Sequence, residues 1–205
     1  MAVRVKICGV TTVKDALLCA EAGADAIGLN LWSGSKRGIA LARAAEISGA
    51  LPPAVLKVGV FVNAGRPAIE RAIAGASLDA IQLHGDETPE ECRGFAVPVI
   101  KAIRVTSGGE SPRAVAERFV VDYILLDAAE SGTYGGAGRA FDWQLAAGVA
   151  PGRLFLAGGL HPENVATAIR IVRPYAVDTA SGVEIAPGHK DPKRVREFIH
   201  NAKHA

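Results

Sequence analysis

The sequence predicts an α/β fold, a single (β/α)8 TIM barrel over residues 1–205, on three observations. Eight short apolar runs rich in β-branched residues recur along the chain, and helix-start signals fall between them. Divided among eight units, 205 residues leave about 25 for each, close to the minimum for closing such a barrel.

The first run covers residues 3–8. The second, 24–30, opens a pattern that returns: Ala-Asp-Ala-Ile at 24–27, Leu-Asp-Ala-Ile at 78–81, Val-Asp-Tyr-Ile at 121–124, and a looser relative at 175–178. Between these stand 55–62, 97–103 and 154–157. Their near-continuous apolar character is what strands covered on both faces require. Thr12-Val13-Lys14-Asp15 starts a helix whose Val13, Ala16, Leu17 and Ala20 form an i, i+3, i+4, i+7 stripe ending at Gly23. Thr88-Pro89-Glu90-Glu91 combines a cap, a Pro at the first helical position and a Glu that can reach back to the cap, so a helix is expected there. Ser111-Pro112 and Asp191-Pro192 repeat the cap and Pro, and Pro67 and Pro162 mark two further expected helix starts. An open doubly wound sheet is the alternative. Its Gly-x-Gly-x-x-Gly is absent after the first strand, where Cys8-Gly9-Val10-Thr11-Thr12 stands instead.

The charge balance narrows the partners. Twenty-three basic and 21 acidic residues are scattered without a basic run, so the chain is not expected to bind nucleic acid. No leader-type apolar region opens the sequence and no run approaches 18 apolar residues, which predicts a soluble cytoplasmic protein with no membrane contact. Cys8, Cys19 and Cys92 are odd in number and irregularly spaced, indicating neither a disulfide framework nor a zinc knuckle. His200 and His204 stand i, i+4, but on an expected exposed last turn without further ligands, and no metal is predicted.

In a barrel of this type the chemistry sits where the strands end. Those ends carry Cys8, Asn30, Asn63, His84, Asp127, Gly158-Gly159 and Ser181-Gly182, a polar group or a glycine after every apolar run concerned. Each has a purely structural reading. Cys8 can be a small core hydrophobe, Asn63 a turn residue, His84 a satisfied loop histidine and Asp127 a cap. Their convergence on one rim is what points to a site. The glycines after the seventh and eighth strands occupy the loops where such barrels hold a phosphate on backbone N–H groups, so a phosphorylated small molecule is the indicated ligand. The stretch 128–140, with Gly132, Gly135, Gly136 and Gly138, reads either as a surface connection or as a cover that closes over ligand.

The motifs resemble the phosphoribosylanthranilate isomerases, (β/α)8 enzymes of tryptophan biosynthesis. The resemblance covers nearly the whole chain and rests on Val5-Lys6-Ile7-Cys8-Gly9, Val58-Gly59-Val60-Phe61-Val62, Gln82-Leu83-His84-Gly85, Leu125-Leu126-Asp127, and Gly135-Gly136-Ala137-Gly138-Arg139-Ala140-Phe141-Asp142-Trp143. It continues through Leu156-Ala157-Gly158-Gly159-Leu160, Pro162-Glu163-Asn164-Val165 and Ser181-Gly182-Val183-Glu184. It implies an Amadori rearrangement of N-(5-phosphoribosyl)anthranilate to 1-(2-carboxyphenylamino)-1-deoxyribulose 5-phosphate, without a metal or redox cofactor, by a monomer or homodimer. Cys8 would be the general base and Asp127 the general acid. Arg37 would meet the anthranilate carboxylate, His84 and Asp178 the sugar hydroxyls, and Gly158, Gly159, Ser181 and Gly182 the phosphate. The chain departs from the family at Gly38, where an aromatic residue is usual, at Ala137, where threonine is, and at Thr179-Ala180, where Val-Ser is commoner. Another phosphosugar isomerase on the same barrel, or a non-catalytic phosphoribosyl-ligand binder, are the competing readings.

Two neighbours of Cys8 are expected to matter. A free thiol is mostly protonated at neutral pH, and Lys6, two residues back, shares its face of the strand. Lys6 either favours the thiolate or makes a structural ion pair inside the barrel. Gly9 is expected to let the chain turn after the thiol without a side chain crowding the substrate.

Overall fold

The computed structural model describes residues 3–106, 108–128 and 141–205. Eight parallel strands close into a barrel in chain order, with the first paired to the last. They are β1 Arg4–Cys8, β2 Ala26–Asn30, β3 Leu56–Phe61, β4 Ala80–Leu83, β5 Val99–Val105, β6 Tyr123–Ala128, β7 Leu154–Leu156 and β8 Ala176–Thr179. The predicted fold class holds, and each expected apolar run overlaps its strand, with β5, β6 and β8 running one or two residues past the expected ends.

The helices are α1 Val13–Glu21, α2 Leu41–Ala50, α3 Arg66–Gly75, α4 Pro112–Ala116, α5 Val165–Val172 and α6 Pro192–Lys203. Thr12 caps α1 by accepting from Asp15 N, and Asp191 caps α6 by accepting from Lys193 N and Arg194 N. The helix expected at Thr88-Pro89 does not form. Its capping pair does: Glu91 N donates to Thr88 Oγ1 at 3.3 Å and Thr88 N to Glu91 Oε2 at 2.8 Å. After that single turn, Gly94 takes φ +74 and the chain must reach β5, so local capping is overruled by the length of the connection. Pro162 likewise lies in the turn before α5, whose cap position is Asn164, rather than in its first turn. A short antiparallel hairpin, β9 Glu184–Ala186 with β10 His189–Lys190, follows β8. Strands of three and two residues are too short to leave a period in the sequence.

Alternate strand residues face two cores. Val5, Ile7, Ile27, Leu29, Ile81, Leu83, Ile124, Leu126 and Val177 point outward against Ala16, Cys19, Ile47, Ile69, Ala168, Val195 and Phe198 of the helices. Each fully buried Ile or Leu among them stabilises the fold by roughly 1.5–3 kcal/mol. Ala26, Val58, Ala80, Ile100, Leu125, Phe155 and Ala176 point inward and fill the lower half of the barrel.

The repeated Asp of the sequence pattern does a single job three times. Asp25, Asp79 and Asp122, just before β2, β4 and β6, accept from the backbone N of Val5, Lys57 and Val99, each at 2.8 Å. Every second strand is thereby tied to its predecessor at the N-terminal end of the barrel. Before β8 the same position is Tyr175, which stacks on Tyr123 with ring centroids 5.1 Å apart and closes the barrel floor.

Candidate active site

At the opposite end, period-two alternation brings Lys6 and Cys8 of β1, Gly28 of β2, Gln82 and His84 of β4, Asp127 of β6 and Asp178 of β8 toward the barrel axis. The register fixes this grouping: Lys6 pairs with Asp178 across β1 and β8, and Cys8 with Gly28 across β1 and β2.

Lys6 is fully buried, and its Nζ donates to Asp178 Oδ1 at 2.9 Å. It also stands beside Cys8. A Cβ placed on Gly28 would lie 2.7 Å from Cys8 Sγ and 3.0 Å from Lys6 Nζ, so thiol and ammonium share the space that a larger residue in β2 would fill. Burial pushes the Cys8 thiol up; Lys6 pulls it down, Asp178 pushes it up again and Lys190 pulls it down, with the net direction upward. For Lys6, burial alone would lower the ammonium, but Asp178 and Cys8 outweigh it and hold it above the ordinary lysine value. Of the two expectations for Lys6, the ion pair forms with Asp178, while the lysine's pull on the thiol is outweighed by burial.

Asp127 is buried at the end of β6, with Oδ2 3.3 Å from His84 Nε2. That contact is electrostatic rather than an aligned hydrogen bond. On the far side of the ring, Gln82 Nε2 lies 2.8 Å from His84 Nδ1, and donation there leaves the ring proton on Nε2, facing Asp127. The loop that carries His84 is braced by Lys101, whose Nζ donates to Gly85 O at 2.8 Å and to Glu87 Oε2 at 2.7 Å.

The two glycine loops meet. Gly158 and Gly159 take φ +82 and +63, and a Cβ on Gly158 would fall 2.5 Å from Ala128 N, where only glycine fits. Thr179 Oγ1 donates to Leu160 O at 2.7 Å, and Gly182 packs against the same carbonyl, so Ser181 and Gly182 are drawn beside the loop after β7. Ser181 opens a 3-10 turn, Ser181–Val183.

Arg37 has a partner that the sequence did not suggest. Its Nε donates to Glu184 Oε1 and Oε2 at 2.9 and 3.0 Å, and its Nη2 to Oε2 at 2.6 Å. Lys190 Nζ donates to Glu184 Oε1 at 2.8 Å and to Cys8 O at 2.6 Å. Gly9, at φ +68, makes the expected turn, but the space its missing side chain leaves is taken by Cδ of Arg37. Gly38 is equally constrained, since a Cβ there would sit 2.6 Å from Trp32 O. The departure from an aromatic at 38 is thus built into this loop.

Asn30 and Asn63 are turn residues. Asn30 Oδ1 accepts from Trp32 N at 3.0 Å, and Asn63 Oδ1 accepts from Asp86 N at 2.7 Å. Gln82, Glu184 and Lys190 were missed as site residues. The inward phase two residues before His84 could have flagged Gln82, and Glu184 closes a motif already recognised, but nothing local marks Lys190. The glycine-rich stretch with Ala137 lies outside the described residues. Among the described residues no three His, Cys, Asp or Glu side chains gather into a set that could hold a metal ion.

The chain matches the family described as N-(5'phosphoribosyl)anthranilate (PRA) isomerase over residues 5–201. It is 50% identical over 207 residues to the N-(5'-phosphoribosyl)anthranilate isomerase of Myxococcus xanthus (strain DK1622), covering 99% of this chain and 97% of that protein. A similar enzyme of Acidithiobacillus ferrooxidans is 48% identical over 197 residues, 96% of each chain. Among solved structures, phosphoribosyl anthranilate isomerase from Thermotoga maritima superimposes with a TM-score of 0.88 at 45% identity, over 99% of this chain and 100% of that one. A phosphoribosyl anthranilate isomerase in complex with reduced 1-(o-carboxyphenylamino)-1-deoxyribulose 5-phosphate superimposes with a TM-score of 0.84, also at 45% identity, over 99% and 100% of the two chains.

Proposed function

The chain belongs to the N-(5'-phosphoribosyl)anthranilate isomerase family and acts as that isomerase in tryptophan biosynthesis; from this premise we propose that Cys8 is its general base and Asp127 its general acid. The observation that carries the assignment is their placement. A thiol flanked by a buried ammonium and a carboxyl flanked by a histidine both face the axis at the C-terminal end of one barrel.

The reaction needs one proton delivered and one removed. Asp127 protonates the furanose ring oxygen, the C1–O bond breaks and the sugar opens to an imine; Cys8 as thiolate then takes the C2 proton, and the resulting enolamine becomes the 2-ketone. Asp127 must therefore start protonated and Cys8 ionised. His84 holds Asp127 in place through the ring edge that Gln82 orients, and Lys6 supplies the positive charge that the thiolate requires. The loops of Gly158, Gly159, Ser181 and Gly182 hold the phosphate on backbone N–H groups. Arg37 receives the anthranilate carboxylate, where a planar fork suits a planar acid. Asp178, engaged with Lys6, lies close enough to the base to meet a sugar hydroxyl as well. The substrate is the small phosphoribosyl molecule, turned over in the cytoplasm by a monomer or homodimer; the Thermotoga maritima relative is described as dimeric, with monomers generated from it. Among the described residues no helix is long and apolar enough to cross a membrane.

The test is the loss of anthranilate-type substrate fluorescence on adding purified protein. Wild type consumes the signal and Cys8→Ser and Asp127→Ala do not. Turnover untouched by either change overturns the assignment.

A further inference from the structure

A guanidinium has two edges that can hold a carboxylate: the side-on edge of Nε with Nη2, and the end-on edge of Nη1 with Nη2. In this site Glu184 takes the first. Both Glu184 oxygens lie within 3.0 Å of Nε, and Oε2 lies 2.6 Å from Nη2. The hydrogen bonds described for the Arg37 side chain use only those two nitrogens. Glu184 leaves Nη1 and the second N–H of Nη2 for another acceptor, and the Arg37 stem is held in the gap above Gly9, immediately after the thiol.

Glu184 is shared between two cations. Lys190, with a side chain 0% exposed, neutralises Glu184 from the other side, while the Glu184 side chain is only 4% exposed. Arg37 and Lys190 thus bring two cations to the one Glu184 carboxylate, with Asp15 accepting from Lys190 N behind them. Lys190 also donates to the carbonyls of Cys8 and Ala180, so the cluster ties the hairpin of β9 and β10 to the ends of β1 and β8. Gly188 N donates to Glu184 Oε1 at 3.2 Å, which fixes the carboxylate from the hairpin turn. Glu184 is thus held by two donors of its own hairpin, Gly188 N and Lys190 Nζ, besides Arg37.

We propose that Glu184 is the positioning residue for substrate selectivity: it occupies the side-on edge of Arg37 and so presents the end-on edge to the carboxylate of the anthranilate ring. The inference rests on the reading of Arg37 as the carboxylate receptor and adds what aims it. Without Glu184 the guanidinium can rotate about its long stem, and the carboxylate must then order it at the cost of side-chain entropy.

The experiment compares two inhibitors by calorimetry: reduced 1-(o-carboxyphenylamino)-1-deoxyribulose 5-phosphate and the same compound lacking the carboxylate. They are measured on wild type, Arg37→Met and Glu184→Gln, with circular dichroism as the check on folding. Glu184→Asp, which keeps the charge but retracts it by one methylene, replaces Glu184→Gln if the latter yields too little folded protein. Both variants are expected to weaken the carboxylate-bearing inhibitor, about tenfold or more for Glu184→Gln, and to leave the other within about twofold of wild type. In turnover, Glu184→Gln raises KM with kcat nearly kept. If Arg37→Met discriminates between the inhibitors and the Glu184 variant does not, the proposal fails and the reading of Arg37 stands. If Arg37→Met weakens both inhibitors equally, the reading of Arg37 fails and takes the proposal with it.

Discussion

The acidic residues at the two ends of this barrel belong to the same repeated sequence pattern, or lie close after it, and yet do different work. At the N-terminal end, Asp25, Asp79 and Asp122 each accept from a backbone N–H of the preceding strand. At the C-terminal end, Asp127, Asp178 and Glu184 meet side chains: His84, Lys6, and Arg37 with Lys190. A carboxylate anchored on a backbone amide fixes register, and the lysines that also pair with two of the three, Lys203 with Asp25 and Lys57 with Asp79, lie at the floor, away from the rim chemistry. A carboxylate at the rim that faces a titratable or cationic side chain is held but still open to reaction or to ligand. The floor between the two sets is apolar, so the upper set works in a medium where charges act strongly on each other.

The sharpest break of this contrast is at the reacting pair. Cys8→Ala or Asp127→Asn is expected to lower kcat/KM by about 10²–10⁴ while the thermal midpoint stays near wild type, read by the fluorescence assay and by calorimetry. A large stability loss without a rate loss would make the upper set as structural as the lower.

Next in size is Lys6→Met, which leaves Asp178 buried without its partner and should cost about 3–5 kcal/mol in urea unfolding. It also moves a pH profile. Lys6 lowers the thiol against the upward push of burial, so its removal raises the thiol further. Activity that depends on thiolate then falls at neutral pH and returns in part as pH rises. A profile of thiol alkylation rate against pH that does not move assigns Lys6 to the ion pair alone.

Asp122→Ala sharpens the comparison from below. It removes a partly exposed hydrogen bond to Val99 N and should cost about 0.5–1.5 kcal/mol, with kcat/KM within about twofold of wild type. The smallest effect concerns acid. Burial raises the Glu184 carboxyl, but Arg37 and Lys190 outweigh it and hold it below the ordinary value. Its stabilising contribution is therefore present above that value, about pH 4.3, and is lost as pH falls through the lower folded one. Glu184→Gln should flatten this part of the acid unfolding curve, and an unchanged slope would show that the cluster does not hold Glu184 ionised.

Strands were legible along the chain because burial on both faces writes a near-continuous apolar run, as in the Ala-Ile-Gly-Leu that opens β2 or the Tyr-Ile-Leu-Leu that opens β6. The local capping signal at Thr88 was also real, and its hydrogen bonds form, but a cap does not specify length. The rim residues Cys8, His84 and Asp127 were legible because they follow apolar runs directly. Gln82 was hidden inside one.

Residue types and their period, acting over a few neighbours, were enough for the barrel, its polar rim and the thiol at the end of β1. Which groups face one another was settled by closure. Lys6 finds Asp178 across 172 residues, Arg37 finds Glu184 across 147, and Lys190 reaches the carbonyl of Cys8 across 182. No local pattern encodes such pairs. Only when β8 returns to β1 does a buried ammonium come to lie between a carboxylate and a thiol, and does Glu184 reach the arginine it aims.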